Sequence, residues 1–201
     1  MKLLFILIIS YLIGSVPFAL VIGKVFYNTD VREHGSKNLG GSNTGRTLGK
    51  KAGLSVMALD LLKVSFVVFL ALKIDGSELA MVCAALTAAI GHCYPIFANF
   101  KGGKAVATLY GFLFGLFVFA GYSPLVFFLP LIVFMLVLTL SKIVSLSSML
   151  SSVAVTLYVL FFEDSLLVSA ALLVFSLLII VRHRKNIERM LQKNENKISW
   201  M

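Results

Sequence analysis

Apolar residues fill this chain in long blocks, parted by short polar breaks. The blocks lie at residues 3–26, 52–72, 79–97, 105–120, 124–140, 149–160 and 165–181. The hydrocarbon core of a bilayer takes about 20 apolar helical residues, fewer where helices tilt, break or are shielded by protein. The pattern predicts an all-α integral membrane fold of about seven transmembrane helices. The third, fourth and sixth blocks are short or interrupted, so the alternative is five full spans plus broken helices. The first block does not have the form of a cleavable signal peptide. Its apolar stretch is long, no small-x-small site closes it, and Lys2 is the only basic residue ahead of it. The connections KIDGSE, GYSP and FEDS are tight, and neither a linker nor an internal repeat is visible. One polytopic domain over residues 1–201 is expected, with a short basic tail from about residue 182 onward.

Composition narrows the class. Hydrophobic residues make up 59% of the chain and charged residues 13%, whereas soluble domains are charged at about a quarter of positions. The net charge of +9 raises the question of nucleic acid, but basic loops in a polytopic protein explain it better, so no nucleic-acid partner is expected. Cys83 and Cys93 lie in or beside apolar blocks and read as packing residues. Three scattered histidines give no metal-ligand spacing, so no metal is expected.

Charge also fixes an orientation. Lys24, Arg32, Lys37, Arg46, Lys50, Lys51, Lys101, Lys104, Lys142 and the Arg182–Lys197 cations all fall on one side of the seven-segment reading. The other side holds little beyond Lys2 and Lys73, with Asp75, Glu78, Glu163 and Asp164. The positive-inside rule then places the N-terminus outside and the C-terminus in the cytoplasm.

That orientation puts the candidate chemistry on the cytoplasmic face. Residues 30–51, DVREHGSKNLGGSNTGRTLGKK, hold five Gly and five Lys or Arg, with almost no large apolar residue. Glycine-rich backbone lets N–H groups converge on a phosphate, and nearby cations add charge and bidentate hydrogen bonds. The bland reading is a loop that is basic because cytoplasmic loops usually are. A second motif runs Gly91-His92-Cys93-Tyr94-Pro95 and then Phe100-Lys101-Gly102-Gly103-Lys104-Ala105. Pro95 breaks the helix after His92, the glycine pair turns the backbone, and Lys104 is expected in the first turn of the next helix, where free N–H groups favour an anion. Together these predict re-entrant glycine-rich loops. The pattern is not GxxxxGK[ST], so no nucleotide is expected. The third and fourth motifs are Lys142-Ile143-Val144-Ser145-Leu146-Ser147-Ser148 and Arg182-His183-Arg184-Lys185-Asn186-Ile187. Serines there are often helix caps, and a basic juxtamembrane cluster often serves orientation and anionic-lipid contact. His183 and Asn186 would share a face on a continuing helix, as would Asp60 and Lys63, for which an internal salt bridge is expected. No GxSxG, Ser/His/Asp set or Cys–His pair is apparent.

Taken in order, GSxxx near the start, DxREHGSxNxGxxNxxRxLGKKAG, DLLK, GHxYPxFxxFKGGKxVAT, KxVSLxS and RHRxNIxR resemble one family across nearly the whole chain. It is the bacterial acyl-phosphate:glycerol-3-phosphate acyltransferases, integral-membrane enzymes that open phospholipid synthesis. The resemblance implies a seven-helix fold in the bacterial inner membrane, a cytoplasmic active site, an acyl-phosphate donor and a lysophosphatidate product. It implies no cofactor and no acyl-CoA or acyl-carrier-protein donor. The other partners expected are membrane lipid and glycerol 3-phosphate; the chain is expected as a monomer, with a homodimer as the alternative. The catalytic set so implied is Ser36, Arg46, Lys104, Ser145, His183 and Asn186. Asn38, Ser42, Asn43, His92, Gly102, Gly103 and Thr108 join them in lining the substrate site. Arg46 and Lys104 would take phosphate oxygens, while hydroxyls and amides orient glycerol 3-phosphate. A phosphate oxygen of the donor would accept the hydroxyl proton, with His183 as the alternative base.

Three departures stand out. The family pattern reads GSGN where this chain has Gly35-Ser36-Lys37-Asn38, GATN where it has Gly40-Gly41-Ser42-Asn43, and GGKG where it has Gly102-Gly103-Lys104-Ala105. Lys37 excludes left-handed backbone unless strain is tolerated, and Ala105 adds a methyl where substrate would come close. The rival reading is a small transporter of an organophosphate or other anion, since broken helices that point at an anion suit transport too. A lipid-binding structural protein is the third.

Overall fold

The structure is a computed structural model and describes residues 1–198. Among them every regular element is helical. The chain divides into two compact units, Met1–Gly115 and from Leu116 onward.

The first unit opens with α1 (Lys2–Gly14) and α2 (Phe18–Tyr27). Pro17 lacks an N–H and separates the two, which together still form one 26-residue apolar stretch. A loop follows, then α3 (Gly41–Leu48), α4 (Lys50–Ile74) and α5 (Glu78–Cys93). Ser77 caps α5 by accepting from the Ala80 N–H at 3.2 Å. A 3₁₀ turn at Ile96–Ala98 leads to α6 (Val106–Phe119). Helix α3 lies in the segment read from sequence as loop. Its polar, glycine-rich sequence has weak helix propensity, and packing supplies what propensity lacks. A Cβ at Gly53 of α4 would stand 2.6 Å from the Cα of Gly45, so the two backbones touch where only glycine fits. Val31 and Leu39 anchor the preceding loop in a core with Ala19, Leu20, Ile22, Ala52, Val56 and Ala98.

The second unit holds α7 (Leu125–Ser141), α8 (Val144–Phe162), α9 (Leu166–Arg182) and α10 (Arg184–Leu191). Lys142 ends α7 in the left-handed conformation, which lets α8 start two residues later. Helix α8 begins five residues before the block at 149–160 because its serines do not interrupt it. Ser147 and Ser148 hydroxyls donate to the carbonyls of Ile143 and Val144 at 2.8 and 2.9 Å, satisfying themselves within the turn. Thr156 and Ser176 share a hydrogen bond of 2.9 Å between α8 and α9.

Among the described residues, four helical stretches are long and apolar enough to cross a membrane: Lys2–Tyr27, Lys50–Ile74, Glu78–Ala98 and Val144–Phe162. The pair α9 and α10, bent by 57°, makes up to five, while α6 and α7 are shorter apolar helices. Large side chains such as Phe26, Leu62, Phe66, Phe128 and Ile132 are exposed, as expected of surfaces solvated by lipid.

Candidate functional site

In the first unit Asn43 organises the glycine-rich segment. Its side chain is buried, its amide donates to the carbonyls of Val31 at 2.9 Å and His34 at 3.2 Å, and its oxygen accepts from the Ser36 N–H at 2.8 Å and hydroxyl at 3.1 Å. Those four bonds use the full capacity of a carboxamide. Asn43 therefore holds the loop, and exposed Ser36 is carried by it. Asp30 fixes the loop's entry: Arg32 donates to it through its backbone and guanidinium, with the closest contact 2.6 Å. Hydrogen bonding from the Arg32 side chain is the main reason the Asp30 carboxyl is held down at about 2.

Lys37 has φ +59 and Ala105 has φ +62. At these two positions the family pattern reads glycine and this chain does not, and both keep the glycine-type conformation. The strain is tolerated rather than avoided. The Ala105 methyl is fully buried, so it meets protein at that point. Asn38 is half-buried; Ser42 and Arg46 stand one helical turn apart on α3. Arg46 is exposed and makes no hydrogen bond or ion pair among the described residues. An uncommitted guanidinium beside a glycine-rich loop is equipped to take a phosphate.

His92, Gly102, Gly103, Lys104 and Thr108 are gathered where α5 ends and α6 begins. Gly102 and Gly103 N–H groups donate to the carbonyls of Cys93 and His92 at 3.1 and 3.0 Å, folding the chain back on the end of α5. Lys104 precedes α6, whose first residue is Val106, rather than sitting in its first turn. The left-handed Ala105 delays the helix by that much. Thr108 is fully buried and donates to the Ala105 carbonyl at 2.8 Å. The expected Asp60–Lys63 pair is present, with Lys63 Nζ 2.7 Å from Asp60 Oδ1.

In the second unit the polar residues gather on a carboxylate. Glu195 accepts from the Ser145 hydroxyl at 2.8 Å, the Asn186 amide at 2.5 Å and Arg189 Nε at 2.7 Å. Burial works against the charge, but hydrogen bonds from Asn186, Arg189 and Ser145 outweigh it and hold the carboxyl below its ordinary value. Nothing in the sequence pattern singles out Glu195, which sits in an irregular polar tail; only the fold shows what it meets. His183 and Asn186 do not lie on one continuing helix. His183 closes α9 at the 57° bend, and Asn186 is the third residue of α10. His183 is buried with Nδ1 2.8 Å from the Ile179 carbonyl, a contact that puts the proton on Nδ1 and makes Nε2 the basic nitrogen.

Described residues whose regular elements are all helical, with exposed apolar surfaces suited to lipid, define a polytopic membrane protein, and the glycine-rich loop beside Arg46 is equipped for an anion. Comparison with known proteins makes this particular. Residues 4–193 match the family model described as glycerol-3-phosphate acyltransferase. A glycerol-3-phosphate acyltransferase of Geobacillus kaustophilus is 45% identical, over 97% of this chain and 95% of its own length. Glycerol-3-phosphate acyltransferase 2 of Bacillus anthracis is 47% identical, over 96% and 97%. The crystal structure of PlsY (YgiH), an integral membrane glycerol 3-phosphate acyltransferase, matches in its glycerol 3-phosphate form with a TM-score of 0.91 and 35% identity, over 99% of this chain and 96% of that one. Its lysophosphatidic acid form matches with a TM-score of 0.89 and 34% identity. This chain belongs to the glycerol-3-phosphate acyltransferase family and is a multi-pass membrane enzyme of that kind, a membership that disfavours the transporter reading.

Proposed function

We propose that this protein moves a fatty acyl group from an acyl phosphate to the sn-1 hydroxyl of glycerol 3-phosphate, giving lysophosphatidate and inorganic phosphate. The observation that carries this reading is the full-length likeness to an acyltransferase solved with glycerol 3-phosphate and lysophosphatidic acid. The hydroxyl oxygen bonds to the acyl carbon, the bond from that carbon to the phosphate oxygen breaks, and phosphate leaves with the hydroxyl proton. A mixed anhydride needs little activation, so the protein's part is to hold two anions together and stabilise developing charge. Arg46 and Lys104 serve as phosphate ligands. Ser36, positioned by Asn43, and the nearby Asn38 and Ser42 orient the glycerol. Ser145, His183 and Asn186 of the second unit are assigned to the same reaction by the family resemblance alone, with His183 as the alternative proton acceptor. One domain crosses the bacterial inner membrane about seven times, with the N-terminus outside, re-entrant glycine-rich loops and tail in the cytoplasm, and a monomer as the working unit. The lopsided Lys and Arg distribution supports that orientation.

The test supplies purified protein in liposomes with palmitoyl phosphate, palmitoyl-CoA or palmitoyl-acyl carrier protein separately, plus labelled glycerol 3-phosphate. Lysophosphatidate forms with palmitoyl phosphate alone. Equal rates with either of the other donors would refute the donor assignment.

A further inference from the structure

Asp60, Lys63 and His92 form a buried ionisable cluster to which the reaction above gives no task. Lys63 Nζ lies 2.7 Å from Asp60 Oδ1, 2.9 Å from the Val16 carbonyl and 3.2 Å from His92 Nδ1, and 5.6 Å above the Phe18 ring. His92 Nδ1 is 3.5 Å from the same carboxylate oxygen. Side-chain exposures of 3%, 3% and 6% leave all three out of water. Burying charges costs several kcal/mol each, and apolar replacements are often no less stable, so stability alone does not account for such a cluster.

The opposite edge of the imidazole shows what it serves. A Cβ on Gly103 would lie 2.0 Å from His92 Nε2, and one on Gly102 would lie 2.0 Å from the His92 carbonyl oxygen. Neither glycine has a left-handed φ, so backbone conformation admits a side chain at both. Space does not. The ring occupies the place of the Gly103 side chain, and the glycine N–H groups are tied to the end of α5 at 3.0 and 3.1 Å.

We propose that Asp60, Lys63 and His92 are positioning residues for acyl transfer: the cluster pins the imidazole against the Gly102-Gly103 turn, and that turn sets the line along which Lys104 reaches the substrate phosphate. The inference rests on the reading of Lys104 as a phosphate ligand. It differs from a direct substrate role for His92, because the ring works through the backbone before Lys104.

Full-length protein in liposomes tests it by steady-state transfer from palmitoyl phosphate at varied glycerol 3-phosphate. Gly103→Ala raises KM for glycerol 3-phosphate about tenfold with kcat within about threefold of the parent. His92→Ala raises KM by a similar factor, and adding Gly103→Ala in that background changes KM by less than about twofold, because the clash has gone. The double variant Asp60→Asn with Lys63→Met removes both charges together, so neither is stranded and the protein folds. It too raises KM, by about fivefold or more, with unchanged thermal unfolding. A merely structural role would lower the yield of active enzyme and leave KM alone. Additive His92 and Gly103 effects, or a parental KM in the Asp60/Lys63 double variant, would overturn the proposal. The double variant decides the matter even if the His92 variants are not recovered folded. Lys104→Ala separates the two layers. If it lowers kcat/KM about tenfold or more while the His92–Gly103 effects are additive, the positioning proposal alone falls. If it leaves KM and kcat unchanged, the phosphate-ligand reading falls and takes this proposal with it.

Discussion

Lys37 and Ala105 hold backbone angles that residues with a Cβ reach only at a cost, with φ of +59 and +62. That cost is about 1–2 kcal/mol for an L-residue and largely vanishes for glycine. Ala105→Gly is therefore expected to stabilise the protein by about 1 kcal/mol, after the extra unfolded-state entropy of glycine is subtracted. Thermal unfolding in detergent measures it; a lower midpoint would mean that the buried methyl contributes packing that outweighs the strain. Lys37→Gly should act the same way on stability. Its effect on transfer should stay below about tenfold, because the exposed ammonium points into solvent beside flexible glycines. A larger loss of activity would show that Lys37 has become a phosphate ligand, since one charge-assisted contact is worth about 1.5–3 kcal/mol.

Among the elements, the tail after α10 is tied down by one side chain. Glu195 gathers Ser145, Asn186 and Arg189, and Ile198 N–H donates to the Lys142 carbonyl at 2.9 Å. Because its carboxyl is held below the ordinary 4.5, the anchoring is fully present above about pH 4.5 and is lost as pH falls through the folded-state value. Hydrogen exchange of the 192–198 segment should be slow at pH 7 and accelerate at acid pH. Glu195→Gln should exchange fast throughout, and a tail equally protected in both proteins would contradict the anchor. The sequence conveys the apolar helices well, because period and length decide them, and it conveys the Asp60–Lys63 pair because helical spacing does. It does not convey α3, whose glycines suggest a loop until the contact with Gly53 is seen. Nor does it convey the break at His183, which no proline or glycine marks, or the convergence on Glu195, a long-range contact without local pattern. The candidate cations and hydroxyls are legible as residue types, whereas the task of His92 depends on the ring's contact with Gly103.

At the scale of the whole molecule, apolar helices with exposed large side chains and membership of the glycerol-3-phosphate acyltransferase family describe a multi-pass membrane enzyme. The proposed orientation rests on the charge distribution. Cysteines introduced at Ser77 and Ser123 should react with an impermeant thiol reagent applied to intact cells, and one at Asn194 should not. Labelling at Asn194 would move the site across the membrane. The account's central claim, that Arg46 and Lys104 hold substrate phosphate, is tested most directly by steady-state transfer from palmitoyl phosphate to labelled glycerol 3-phosphate by Arg46→Ala and Lys104→Ala in liposomes. Each is predicted to lose about tenfold to 150-fold in kcat/KM, the equivalent of one charge-assisted hydrogen bond in a desolvated site, with thermal unfolding unchanged. Arg46→Lys is predicted to recover little of it if the guanidinium binds through two hydrogen bonds. Near-normal turnover by both alanine variants would contradict the account.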